Sequence, residues 1–93
     1  GKYRTEANVS YGRDPRQTLD IYSPEKPDLN GCRIVFVYGG SWRQGNKRHY
    51  GFVGAAFAAK GHEVVIPDYR LYPDVTFPDF VRDIALSVTW YQK

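Results

Sequence analysis

An apolar run, Ile34-Val35-Phe36-Val37-Tyr38, passes directly into Gly39-Gly40-Ser41-Trp42. Without a Cβ, paired glycines can take positive φ and let backbone N–H groups converge on one ligand atom that side chains would otherwise block. The chemistry such a cradle serves is stabilisation of charge developing on oxygen, as in the tetrahedral intermediate of acyl transfer. Gly39 and Gly40 could also form no more than a tight turn, but their place at the end of a buried strand favours the anion site. Trp42 reads as a packing wall for the loop ahead of a substrate contact.

The elements that must hold this loop are legible around it. Arg33 to Tyr38 lacks period-two alternation and reads as a strand covered on both faces of a parallel sheet. Upstream, about Ala7 to Tyr11 and Leu19 to Tyr22 read as a hairpin, joined by the glycine- and proline-containing stretch Gly12 to Gln17. Pro24 to Gly31 is a polar surface connection. A helix is expected over about Arg48 to Lys60, with Phe52, Val53, Ala56, Phe57 and Ala59 as its apolar stripe and Gly61 at C′. Gly51 and Gly54 lower that helix's propensity, so close packing on the sheet is the expected reason for them. Glu63 to Pro67 is a second buried strand, and strand, helix, strand at this spacing predicts a parallel crossover unit. The last helix starts near Pro78 and should bury Phe80, Val81, Ile84, Val88 and Tyr91.

Tyr38-Gly39-Gly40-Ser41-Trp42 resembles the H-G-G-x-W oxyanion loop of α/β-hydrolase esterases, in the branch of feruloyl esterase-like and kynurenine formamidase-like enzymes. Asp68-Tyr69-Arg70-Leu71-Tyr72-Pro73, then Phe77-Pro78-Asp79-Phe80, Asp83 and Trp90, is similar to the D-Y-R-L-x-P…F-P…D…W succession of that branch. Leu19-Asp20-Ile21-Tyr22-Ser23-Pro24 resembles its opening L-D-x-Y-x-P. The ordered set spans nearly the whole chain. It implies an α/β fold, with a mostly parallel sheet, flanking helices and an antiparallel hairpin at the start. The implied activity is hydrolysis of small-molecule carboxylic esters, or of aryl formamides, through a serine and without metal or cofactor. Gly39 and Gly40 would then supply oxyanion donors at about 3 Å, with Tyr38, Ser41 and Trp42 supporting the loop. Tyr38 stands where the family has histidine, so a phenol must do the loop-holding. Asp68 and Arg70 are structural support, pairing with each other or bracing the loop, and Asp83 is structural as well.

The resemblance also requires a nucleophile on G-x-S-x-G, then an acid, then a histidine. No such elbow is present: Arg43, two residues after Ser41, stands where a glycine is needed, Ser87 lies in a helical pattern between Leu86 and Val88, and Ser10 and Ser23 lie in the hairpin. None of the triad is assigned to a residue of this chain. The 93 residues are therefore expected to form one incomplete domain, stopping before the elbow and inactive alone. Trp90 to Lys93 carries no helix-ending signal, which fits a helix that has been cut. The strand from Arg33 would then have an open edge, a route to self-association or to marginal stability.

Other classes fare worse. Gly40 to Lys47 has the outline of a phosphate loop, but Asn46 stands at the lysine position and Lys47 where a magnesium-binding hydroxyl belongs. No G-x-G-x-x-G follows the strand, which excludes a dinucleotide fingerprint. His49 and His62 are isolated from other ligand types and suggest no metal site. A net charge of +3, with acids interleaved, argues against nucleic-acid binding. The local cluster Arg43, Lys47, Arg48 and His49 reads as a solvated helix start, with attraction of anionic substrates as the alternative. Cys32 is the only cysteine, so no internal disulfide is possible, and it reads as a half-buried thiol. No apolar run is long enough to cross a membrane, no leader is evident, and localisation stays open. A non-catalytic module that binds a partner strand at its open edge is the competing functional reading.

Overall fold

The computed structural model describes residues 3–26, 28, 30–39, 45–76 and 78–92. Four strands form one mixed sheet in the order β1-β2-β4-β3, where β1 is Tyr3–Ser10, β2 Thr18–Pro24, β3 Arg33–Val35 and β4 Glu63–Pro67. β1 and β2 make the expected antiparallel hairpin, β2 continues antiparallel onto β4, and β3 lies parallel to β4. The hairpin's register slips between Glu6 and Val9. Asn8 takes the left-handed conformation there (φ 58°), with its N–H 2.9 Å from Asp20 Oδ1. A short polar side chain tolerates that φ better than most residues.

β4 is the covered centre: Val64, Val65 and Ile66 are at most 1% exposed. Alternation sends Val64 and Ile66 into a cluster with Tyr22, Tyr38, Ala58, Tyr69, Val75 and Phe80, and Val65 into one with Tyr11 and Leu19, flanked by Trp90 and Tyr91. Each fully buried aliphatic of this kind contributes about 1.5–3 kcal/mol.

β3 is shorter than the apolar run predicts, and it is the edge strand, half-exposed rather than buried. The parallel ladder explains the length. Glu63 N–H donates to Cys32 O (3.0 Å) and Phe36 N–H to Val65 O (2.9 Å), so alternate residues of β4 face β3. The next donor in that alternation is Pro67, which has no N–H, and pairing stops. Tyr38 is nevertheless buried through its side chain.

Where one helix is expected over about Arg48 to Lys60, a 3-10 turn Lys47–Tyr50 leads into α1, Gly51–Ala58. Asn46 caps the turn, its side chain accepting from Arg48 N–H. The buried face of α1 is Gly54 and Ala58, whereas Phe52 and Phe57 point outward at 71% and 41% exposure. Glycine decides the rotation: a Cβ on Gly54 would lie 2.4–2.6 Å from three atoms of the Tyr22 ring, so only a bare backbone can sit this close to β2. The predicted stripe is corrected, and the packing reason for the glycine is the one expected. Gly61, at φ 93°, closes the helix, with its own N–H on Ala58 O and the His62 N–H on Phe57 O, the paired bonds of a Schellman motif.

α2, Asp79–Gln92, buries Phe80 as expected, but also Asp83 and Ser87, while Val81 is 47% exposed. Cys32 is exposed, not half-buried; its N–H donates to His62 Nδ1. No helix among the described residues is long and apolar enough to cross a membrane.

Candidate active site

The carboxyl ends of β3 and β4 lie side by side, the edge of a parallel pair at which ligands bind in open α/β sheets. Tyr38 is the residue that fixes how the chain leaves β3. Its ring lies between those of Tyr50 (centroids 5.2 Å apart, planes at 4°) and Tyr69 (5.0 Å, 27°) and is 2% exposed. Its hydroxyl donates to Asp68 Oδ1 and accepts from Arg16 Nη2 at 2.9 Å. Burial, and then the hydrogen bond to the Asp68 carboxylate, push the phenol well above its ordinary value, so it remains a protonated donor. The Tyr69 hydroxyl donates to Tyr38 O at 2.9 Å and lies 3.4 Å from Gly39 O, which holds the backbone where the chain enters the glycine loop. Among the described residues nothing lies within 4 Å of where a Gly39 Cβ would stand.

Asp68 caps the end of β4 and gathers the surrounding segments. Besides Tyr38, its Oδ1 accepts the Lys47 N–H at 2.8 Å, and its own carbonyl accepts the Tyr11 hydroxyl. Lys47, expected in a solvated basic cluster, is 3% exposed. Its ammonium is 3.2 Å from Asp20 Oδ1, 3.8 Å from Asp68 Oδ2 and donates to Asn8 Oδ1 at 2.6 Å. Two carboxylates and an amide replace its water, which is why a lysine can be interior here. Arg48 and His49 are exposed as expected.

Arg70 does not pair with Asp68. Its guanidinium binds Asp83 through Nε and Nη2 (2.8–3.2 Å), and its backbone N–H adds a third donor at 2.8 Å. Gln17 Nε2 donates to Asp83 Oδ1 at 3.0 Å, which ties the hairpin turn to α2. Burial alone would raise the Asp83 carboxyl, but these donors outweigh it and hold the group below its ordinary 3.8. A depressed native value gives stability that is full above the unfolded value and fades as pH falls through the native one. Asp83→Asn should therefore lower stability at neutral pH and flatten the loss seen below about pH 4 in the parent, in urea titrations across that range.

Of the residues singled out in the sequence, the fold brings Tyr38, Gly39 and Asp68 together and places Arg70 beside them on Asp83. Gly40, Ser41, Trp42 and Arg43 lie outside the described residues, as does Phe77. Sequence reasoning missed Arg16, Lys47, Asn8, Asp20 and Tyr69. One signal was available: Asp20 sits between Leu19 and Ile21 in a buried strand, and an interior acid requires a cation.

Comparison with known proteins turns this geometry into a family. The model of the BD-FAE family matches residues 19–93. The chain belongs to the BD-FAE family. Isoprenylcysteine alpha-carbonyl methylesterase of Arabidopsis thaliana is 34% identical over 83 residues, 89% of this chain and 19% of that protein. Esterase LipC of Mycobacterium tuberculosis is 31% identical over 91 residues, 96% of this chain and 23% of that protein. Among solved structures, esterase B of Lactobacillus rhamnosis matches with a TM-score of 0.82 and 29% identity, over 95% of this chain and 29% of that one. The chain thus has part of the α/β-hydrolase esterase fold and spans 19–29% of the length of these relatives.

Proposed function

We propose that these 93 residues supply the oxyanion loop and its scaffold in a serine carboxylic ester hydrolase whose nucleophile, acid and base lie outside them. In the reaction, which water completes by hydrolysing the acyl-serine, a serine hydroxyl gives its proton to the base as its oxygen attacks the ester carbonyl carbon and the C=O π pair moves onto oxygen. Backbone N–H groups of Gly39 and Gly40 stabilise that charge until the alkoxide leaves with a proton from the base. Tyr38, Ser41 and Trp42 support the loop, and Asp68 and Arg70 support the elements beneath it. The substrate is a small-molecule ester, and the chemistry needs no metal or cofactor.

The observation that carries this reading is Gly39, set at the carboxyl edge of the parallel pair with its carbonyl 3.4 Å from the Tyr69 hydroxyl and no described atom within 4 Å of where a side chain would start. The test is hydrolysis of p-nitrophenyl acetate, with labelling by a fluorophosphonate, on the 93 residues alone and on a longer polypeptide continuing through the downstream reading frame. Turnover and labelling are expected only in the longer chain. Labelling with turnover in the 93 residues would overturn the proposal and direct attention to Ser41, and silence from both would favour a module that binds a partner at the β3 edge.

A further inference from the structure

Arg16 belongs to neither the loop nor the strands, yet it touches both ends of the segment that carries the glycines. Its Nη2 donates to the Tyr38 hydroxyl (2.9 Å) before the loop and to Gly45 O (3.0 Å) after it. Its Nε donates to Tyr69 O at 3.1 Å, on the next strand's exit. The turn that presents it is itself pinned: Arg16 N–H donates to Asp14 Oδ1 (2.8 Å), Gln17 N–H to Asp14 O (2.8 Å), and Asp14 N–H to Gln17 Oε1 (3.0 Å). Asp68 makes a parallel link, since the one oxygen Oδ1 accepts from Tyr38 before the loop and from Lys47 N–H after it.

We infer that Arg16 is a positioning residue, the brace that sets the spacing between Tyr38 and Gly45 and thereby aims the Gly39 N–H at the reacting oxygen. The inference rests on the ester-hydrolase reading above. Only a guanidinium serves this arrangement. Its planar fork meets acceptors on two different nitrogens at once, whereas an ammonium presents all its donors from one point. Because the brace acts on where donors stand and not on substrate binding, its loss should appear in kcat. A displacement of about 1 Å in such a site costs on the order of a hundredfold.

The experiment uses the full protein containing this chain, with kcat expressed per active site titrated by fluorophosphonate so that unfolded molecules do not count. Arg16→Ala is expected to lose about tenfold to a hundredfold in kcat on p-nitrophenyl acetate with KM little changed. Affinity for a trifluoromethyl ketone, whose adduct places an oxyanion in the same position, should fall by the same factor. Methylguanidinium should restore part of the turnover where sodium chloride at equal ionic strength does not. Arg16→Lys, which keeps the charge beside Asp68, should share the kcat loss and keeps the test open if the alanine variant does not fold. Unchanged kcat per titrated site in either variant, or a loss confined to KM, would overturn the brace while leaving the ester-hydrolase reading intact. A parent protein without turnover or labelling overturns both.

Discussion

Lys47→Ala is expected to destabilise the fold by roughly 3–5 kcal/mol, the usual consequence of removing one partner from a buried ionic group. The size follows from what the substitution strands. Asp20 and Asp68 have side chains 7% and 6% exposed, and both face the Lys47 ammonium. Asp68 would retain the Tyr38 hydroxyl, the Lys47 backbone N–H and Arg16 at 3.8 Å. Asp20 would retain the Asn8 N–H, itself held in a left-handed conformation that the Lys47 ammonium helps fix through Asn8 Oδ1. The cost therefore falls mainly on Asp20, and a double-mutant cycle should show it. Asp20→Asn combined with Lys47→Met should lose clearly less than the sum of the two single changes, because the pair is removed together. Urea unfolding followed by circular dichroism measures this. A Lys47→Ala loss within about 0.5 kcal/mol, the range of ordinary surface substitutions, would mean that the solvated reading of this lysine was right after all.

How this network escaped the sequence is a matter of distance along the chain. Elements with local causes were legible: Glu63–Pro67 by its apolar run, the hairpin by its punctuation, Gly61 by its place after a helix, Gly54 by its cost in one. Gly39 and Asp68 were singled out by pattern, as motif residues at the strand ends. Arg16, Lys47 and Asn8 carry no such pattern. Arg16 and Lys47 lie in turns among polar neighbours, Asn8 sits at the register slip of β1, and each acquires its partner from a segment 12 to 53 residues away. Lys47 in particular sits beside Arg48 and His49, so local composition pointed to solvent while the fold turned its side chain inward toward one acid within β2 and another just past β4. The outward rotation of Phe52 and Phe57 has the same origin: hydrophobicity alone favours the large residues as the inner face, and only the contact of Gly54 with Tyr22 chooses the small one.

Gly45→Ala is expected to cost about 2–6 kcal/mol, the sum of backbone strain and overpacking at one site. Gly45 has φ 132°, a conformation that an L side chain rarely adopts, and an added Cβ would stand 2.4 Å from Tyr38 Cε1 and 2.8 Å from Cδ1. Relief is blocked from both directions. The Tyr38 ring cannot retreat, being stacked on Tyr50 and Tyr69, and Gly45 cannot lift away without breaking its carbonyl from Arg16. Gly39→Ala is the internal control, since no described atom lies near its Cβ position, and its stability loss should be small. A Tyr38→Leu background removes the ring atoms and separates the two contributions: there, Gly45→Ala should retain only the strain, about 1–3 kcal/mol. Urea midpoints of the parent, the three single variants and the Tyr38→Leu/Gly45→Ala double variant decide it. If Gly45→Ala costs no more than Gly39→Ala, the loop's exit is not seated on Tyr38. If it costs as expected, the tyrosine in the histidine position is the floor on which both ends of the glycine loop rest, and its aromatic face matters to that loop as much as its hydroxyl.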